Sequence, residues 1–276
     1  MRNTRLQSAN PRKGTVFNLG FFSKPFIPSS GPDKGKIIKF YRPLKDEALC
    51  RIVAEHHDRY VLSLRKAGIR VPRTGIRLEK ARGKTSLVIV QDAFRETELV
   101  RGRFAKGNTK ECLWLLEALL SDTLKFLSLT EKLRENLGFH PTLRNYAVRD
   151  GRLWYFDTFP PMNWNQKDLN GIVIRFAPFA VFRIAYALSK DWIRRVTDEY
   201  YHPVPMICGI VGSACRLRPD IAPALMESAR KFLGSRIKDR TLKTKVLKEL
   251  SKPPRLPFMW TFLRGLVGKE GRPNIR

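Results

Sequence analysis

Asn145 and Asp157 stand twelve residues apart in FHPTLRNYAVRDGRLWYFDTFPP, residues 139–161. Between them lie two short runs, NYAV and RLWYFD, joined by Arg149-Asp150-Gly151. Asp-Gly is a strong signal for a tight hairpin turn, because both residues tolerate positive φ. A hairpin closed there brings Asn145 and Asp157 to the same end of two paired strands. An amide oxygen and a carboxylate held together suit a hard cation such as Mg²⁺. The same two residues also have a plain structural use, Asn145 capping a turn and Asp157 capping the segment that follows. Spacing alone leaves both open.

The elements that must position these residues are legible in outline. TVFNLGFFSKPFI and GKIIKFYRP read as strands on either side of PSSGPDKG, a turn-forming cluster. Asp46 is placed to cap a helix over residues 47–67, with Ala48, Ile52, Val53, Val61 and Leu64 near helical spacing and Gly68 as its stop. IRVPRTGIRLEK and TSLVIVQDAF read as two further strands around the Arg82-Gly83 turn. Residues 109–136 make the clearest amphipathic helix, with Leu113, Leu116, Leu120, Leu124 and Leu127 at threes and fours. From residue 168 onward the pattern is helical. Strands with one helix first and helices afterwards predict an α+β fold in two lobes. The division falls between an N-lobe, residues 1–94, and a C-lobe, residues 95–276, the latter carrying the 138–161 hairpin and a basic helical tail.

Taken together, these features resemble the protein-kinase-like superfamily, in particular its bacterial small-molecule branch of aminoglycoside and choline phosphotransferase-like proteins and lipopolysaccharide core sugar kinases. The resemblance covers roughly residues 12–165 in the family's order of elements. In that family a catalytic loop supplies a base Asp, an Asn follows five residues later, and a metal-binding Asp closes the next hairpin. Asn145 and Asp157 match the last two and would bind Mg²⁺. KIIKFYRP resembles the strand whose lysine contacts phosphate, which makes Lys39 that lysine and Glu55, on the next helix, its ion-pair partner. AGIRVP resembles the branch's helix-to-strand link, and LVIVQDAF the strand entering the hinge. There Gln91, Asp92 and Ala93 would meet the adenine of ATP.

Three departures accompany the match. His140 stands where the base Asp belongs, Asp157 is followed by TFPP, and the early glycines are scattered rather than clustered into a phosphate loop. A positioned general base is worth about 10²–10⁴-fold, and neutral histidine accepts protons near its ordinary pKa of about 6.5. His140 therefore fits two outcomes. One is an ATP-dependent phosphotransferase acting on a small-molecule, sugar or lipid-linked hydroxyl. The other is a catalytically impaired, nucleotide-binding pseudokinase.

Composition adds a strongly basic chain: 53 Lys and Arg against 25 Asp and Glu, a net charge of +28. Residues 228–276 alone hold 14 of these bases and three acids. Such a field attracts nucleic acid, anionic lipid or phosphorylated small molecules. A basic nucleic-acid-binding protein is the rival from another class, although no RNA-recognition signature, zinc finger or helix-turn-helix pattern supports it. Cys50, Cys112, Cys208 and Cys215 form no CxxC pair, which favours buried thiols in a reducing, cytoplasmic compartment. His56 and His57 point about 100° apart on a helix, so they suit a surface or an interlobe contact better than a metal. The apolar run at 171–188 contains Arg175, Pro178 and Arg183 and is not expected to span a bilayer. The stretches 172–195 and 258–268 fit either buried helices or helices lying on the inner face of a membrane.

Overall fold

The computed structural model describes residues 14–16, 22, 23, 25–133, 136–177 and 197–251. The stretch 172–195 is described only as far as residue 177, and 258–268 lies outside the described residues altogether.

The chain is an α+β fold, with a five-stranded antiparallel sheet first and a mainly helical part after it. The first strand-like run is two strands, β1 (Gly14–Val16) and β2 (Phe26–Pro28), which pair with each other. With β3 (Lys36–Phe40), β4 (Thr74–Ala81) and β5 (Lys84–Asp92) they give the order β1-β2-β3-β5-β4. The β4–β5 hairpin turns at Arg82 and Gly83, with φ of 49° and 68°. Positive φ at both central positions is the tight turn whose twist matches that of paired strands.

Helix α1 (Glu47–Lys66) crosses from β3 to β4. The Asp46 carboxylate accepts the Leu49 N–H at 2.9 Å, and Gly68 ends the helix at φ 75°. Its buried stripe runs through Cys50, Val53, His57, Tyr60, Val61 and Leu64. Val53, Val61 and Leu64 lie on that stripe as expected, whereas Ala48 and Ile52 face solvent. Cys50 and Val53 pack on Leu87 and Ile89 of β5, and the same cluster takes in Phe159 and Phe176 from the helical part.

That part begins with α2 (Val100–Lys106) and α3 (Thr109–Leu133). On α3 the fully buried face is Cys112, Leu115, Leu116, Leu119, Leu120, Thr123 and Phe126, with Leu113, Leu124 and Leu127 packed at its margins. The hairpin β6 (Tyr146–Arg149) and β7 (Arg152–Tyr155) follows, then α4 (Gln166–Phe176), α5 (Pro203–Leu217), α6 (Ala222–Arg236) and α7 (Arg240–Leu250). One continuous core joins α1 to α3, the hairpin and α5–α7. No helix among the described residues is long and apolar enough to cross a membrane.

Candidate functional site

The predicted hairpin forms with its two-residue turn at Asp150 and Gly151, φ 53° and 67°. Tyr146 pairs with Tyr155, and the Phe156 N–H donates to the Asn145 carbonyl at 3.0 Å. That extra rung carries the pairing one residue past β6 and β7, so Asn145 and Asp157 leave the same end of the hairpin. The hairpin is anchored at its turn end too. Arg149 forms a bidentate pair with the buried Glu98 at 2.8 and 3.1 Å, and Leu99 bridges to Ala147.

Lys39 reaches this end from the sheet. It lies opposite Ile89, so it shares the face that α1 covers, and only 7% of it is exposed. Its ammonium donates to the Phe156 carbonyl at 2.8 Å and sits 5.6 Å from the Phe156 ring centroid. Burial lowers the Lys39 pKa against the opposing pull of Asp157, and burial raises Asp157 against Lys39 and the Phe159 N–H. Both groups are pushed toward neutrality. For each group the loss of water outweighs the attraction of the other.

Glu55 does not join them. Its side chain is 69% exposed and lies 3.7 Å from Arg59, a turn along the same helix. The expectation that it orients Lys39 is therefore corrected: Glu55 lies about 200° around the helix from His57, and it is His57 that faces inward. His57 is fully buried, and its Nε2 meets the Thr158 hydroxyl at 2.9 Å. Next to it, His56 stacks on Trp164 at 3.6 Å, and Asn163 donates to the His56 carbonyl at 3.1 Å. Both histidines thus make the contact between α1 and residues 158–164. The bond between His57 and Thr158 is not legible in the sequence. Only the adjacency of Thr158 to Asp157 pointed there.

His140 lies beside Asn145. The Asn145 amide Nδ2 donates to the His140 carbonyl at 2.9 Å and approaches its Nδ1 at 3.4 Å. This aims the amide nitrogen at the loop and leaves Oδ1 as the group Asn145 would offer to a cation. The Tyr200 ring lies 4.6 Å from that of His140. Burial, helped by Arg144, pushes the His140 pKa down to about 4, so the ring is neutral at pH 7. A neutral ring that accepts from Asn145 at Nδ1 carries its hydrogen on Nε2. To take a proton at Nε2 it must first adopt the other tautomer.

At the proposed hinge, part of the polar surface is engaged. Gln91 is buried and donates to the Thr74 hydroxyl at 2.9 Å. The Asp92 N–H donates to the Arg73 carbonyl, and the Ala93 carbonyl accepts from Arg149 at 2.8 Å. Residues 17–21 and 24, between β1 and β2, lie outside the described residues.

Among the described residues no cluster of three or more His, Cys, Asp or Glu forms a metal site. The Asn145 amide and Asp157 carboxylate nonetheless fit the oxygen preference of Mg²⁺. No curated protein matches the chain. A family model matches residues 2–271, and the chain belongs to that family, described as a family of unknown function (DUF6206).

Proposed function

We propose that this member of a family of unknown function is an ATP-dependent phosphotransferase of bilobal, protein-kinase-like fold, acting on a small-molecule, sugar or lipid-linked hydroxyl. Residues 1–94 would form its N-lobe and residues 95–276 its C-lobe. The observation that carries the proposal is the buried Lys39 ammonium bonded to the Phe156 carbonyl, one residue before Asp157 and at the hairpin end that also carries Asn145. A lysine pushed toward its neutral form and a carboxylate pushed the same way are groups short of counter-charge. A triphosphate beside Lys39, and a cation beside Asp157 and Asn145, would supply it. Mg²⁺ held by Asn145 and Asp157 would neutralise charge on the transferring phosphoryl group.

Lys39 would exchange the Phe156 carbonyl for phosphate oxygen. The acceptor hydroxyl would attack the γ-phosphorus as the bond to the bridging oxygen breaks, and ADP would leave. The hydroxyl proton would pass to His140 Nε2 in its Nδ1–H tautomer. A pKa of about 4 gives His140 the basicity of an ordinary carboxylate, although as a neutral base it brings no negative charge.

Two observations favour the catalytically impaired, nucleotide-binding pseudokinase as the second reading: Glu55 faces solvent, and the Asn145 contact favours a His140 that donates at Nε2. The deciding experiment is the melting temperature with and without ATP and Mg²⁺, for wild type and Asp157→Asn. Nucleotide at 100 times its dissociation constant stabilises by about 2.7 kcal/mol, a readily visible shift. A Mg²⁺-dependent shift in wild type that D157N loses supports the pocket. No shift at millimolar nucleotide removes both readings. Given the shift, phosphoryl transfer to an acceptor that His140→Ala cuts by about 10²–10⁴-fold selects the enzyme, and binding without transfer selects the pseudokinase.

A further inference from the structure

A groove of about 570 Å³ lies between the end of α1, the second half of α3 and the end of α6. That volume is within the range of small-ligand sites, and its lining residues include none of Lys39, His140, Asn145 and Asp157. Its rim carries four cations, Lys66, Lys125, Lys132 and Arg236. On α3 the sequence Ser121, Lys125, Ser128, Lys132 advances by four, three and four residues, which sets these side chains along one face. The small hydroxyls leave depth between the lysines, while Leu124 and Phe232 give the groove apolar walls.

Basic residues in the last turn of a helix ordinarily answer to the helix dipole. Lys66, Lys132 and Arg236 stand in such last turns, of α1, α3 and α6, though at α1 the end carbonyls of Ser63, Arg65 and Leu64 are already taken by the N–H groups of Ala67, Gly68 and Ile69. Lys125 is not in a last turn at all. Among the described residues only Lys125 of the four has an ion-pair partner, Asp122 at 3.1 Å. Arg236 lies over the Phe232 ring, 5.7 Å from its centroid.

Two large apolar side chains are exposed next to these cations. Leu62, one turn before Lys66, is 55% exposed, and Leu133, adjoining Lys132, is 44% exposed. Cations alone suit any polyanion. Exposed leucines beside them suit an amphiphile, because a nucleic acid or a free metabolite offers no apolar phase to receive them.

We propose that this groove receives the phosphate headgroup of an anionic phospholipid, with Leu62 and Leu133 resting against the acyl boundary of the bilayer. The proposal is independent of any chemistry at Lys39, Asn145 and Asp157.

The test is sedimentation of the whole chain with vesicles of phosphatidylcholine, alone or mixed with phosphatidylglycerol. Wild type is compared with a groove variant (K66E/K132E/R236E) and an equally charged control of exposed residues elsewhere (K34E/K84E/R152E). A milder K66Q/K132Q pair and circular dichroism keep loss of binding separate from loss of fold. A basic residue at an anionic surface contributes roughly fivefold in affinity. The groove variant should therefore lose more than roughly tenfold, K66Q/K132Q a part of that, and the control no more than roughly threefold. L62S/L133S should weaken vesicle binding, and millimolar glycerol phosphate should not displace the protein. Equal losses in groove and control variants would mean diffuse charge and overturn the proposal. So would binding to phosphatidylcholine alone, or displacement by glycerol phosphate with the leucine variant unaffected, since the ligand would then be a free phosphate.

Discussion

His57, midway along α1, is a fully buried polar residue of that helix. Burial lowers its pKa first, Lys39 adds to that, and Asp58 opposes it; the Thr158 hydroxyl is its buried hydrogen-bond partner. The folded state therefore binds a proton less readily than the unfolded chain. Its contribution to stability is whole above the unfolded pKa of about 6.5 and falls as the pH drops from there toward the depressed folded value. His57→Gln should lower stability at pH 8 by about 1–3 kcal/mol and flatten the decline between pH 6.5 and 5, read by urea unfolding across that range. A parallel decline in the variant would assign the effect to another group. The misplacement of Glu55 belongs to this scale as well. Lysine on a strand and glutamate on the next helix are easily read in one dimension. Two residues on a helix differ by about 200°, however, and which of them faces the sheet is decided by packing against Leu87, Ile89 and Phe159, not by local sequence.

Among the elements, the β6–β7 hairpin carries the most, since both ends of it are tied. At its turn end the Glu98 carboxylate accepts two bonds from Arg149 and one from the Arg95 N–H. The Arg149 guanidinium, then the Arg95 N–H, holds the Glu98 pKa down to about 2. Because the folded value lies below the unfolded one, this stabilisation is complete above about pH 4.5 and is lost as the pH falls toward 2. Glu98→Gln should cost about 1–3 kcal/mol at neutral pH and shrink the stability lost between pH 4.5 and 2.5. An unchanged acid transition in E98Q would show that other carboxylates drive it. The hairpin was also the best-read element, and the reason is local. Asp150-Gly151 and Arg82-Gly83 specify their turns through their own φ preferences, whatever surrounds them. The first strand run was harder, because the break between β1 and β2 leaves no comparably sharp signal in TVFNLGFFSKPFI. The leucine stripe of α3 was read nearly in place, yet its buried centre is shifted toward Cys112, Leu115 and Leu119, a choice made by the helices that pack on it.

For the molecule as a whole, the sheet and the helical part are joined by bonds between residues far apart in the chain. Lys39 and Phe156 are separated by 117 residues, His57 and Thr158 by 101, and Tyr60 and Gly138 by 78. Each closes a long loop, and loop closure is costly before the contact rewards it. Such bonds are expected to form late in folding. Removing one should therefore leave the folding rate nearly untouched and appear almost wholly as faster unfolding. Thr158→Val, which deletes one hydroxyl and keeps the shape, should raise the unfolding rate by about fivefold for about 1 kcal/mol lost; stopped-flow measurement of both limbs checks it, and a slowed folding limb would place the contact early instead. The seam that positions Asp157 is then also where the molecule's lifetime is set: a ligand that braces it should lengthen that lifetime without hastening the protein's formation.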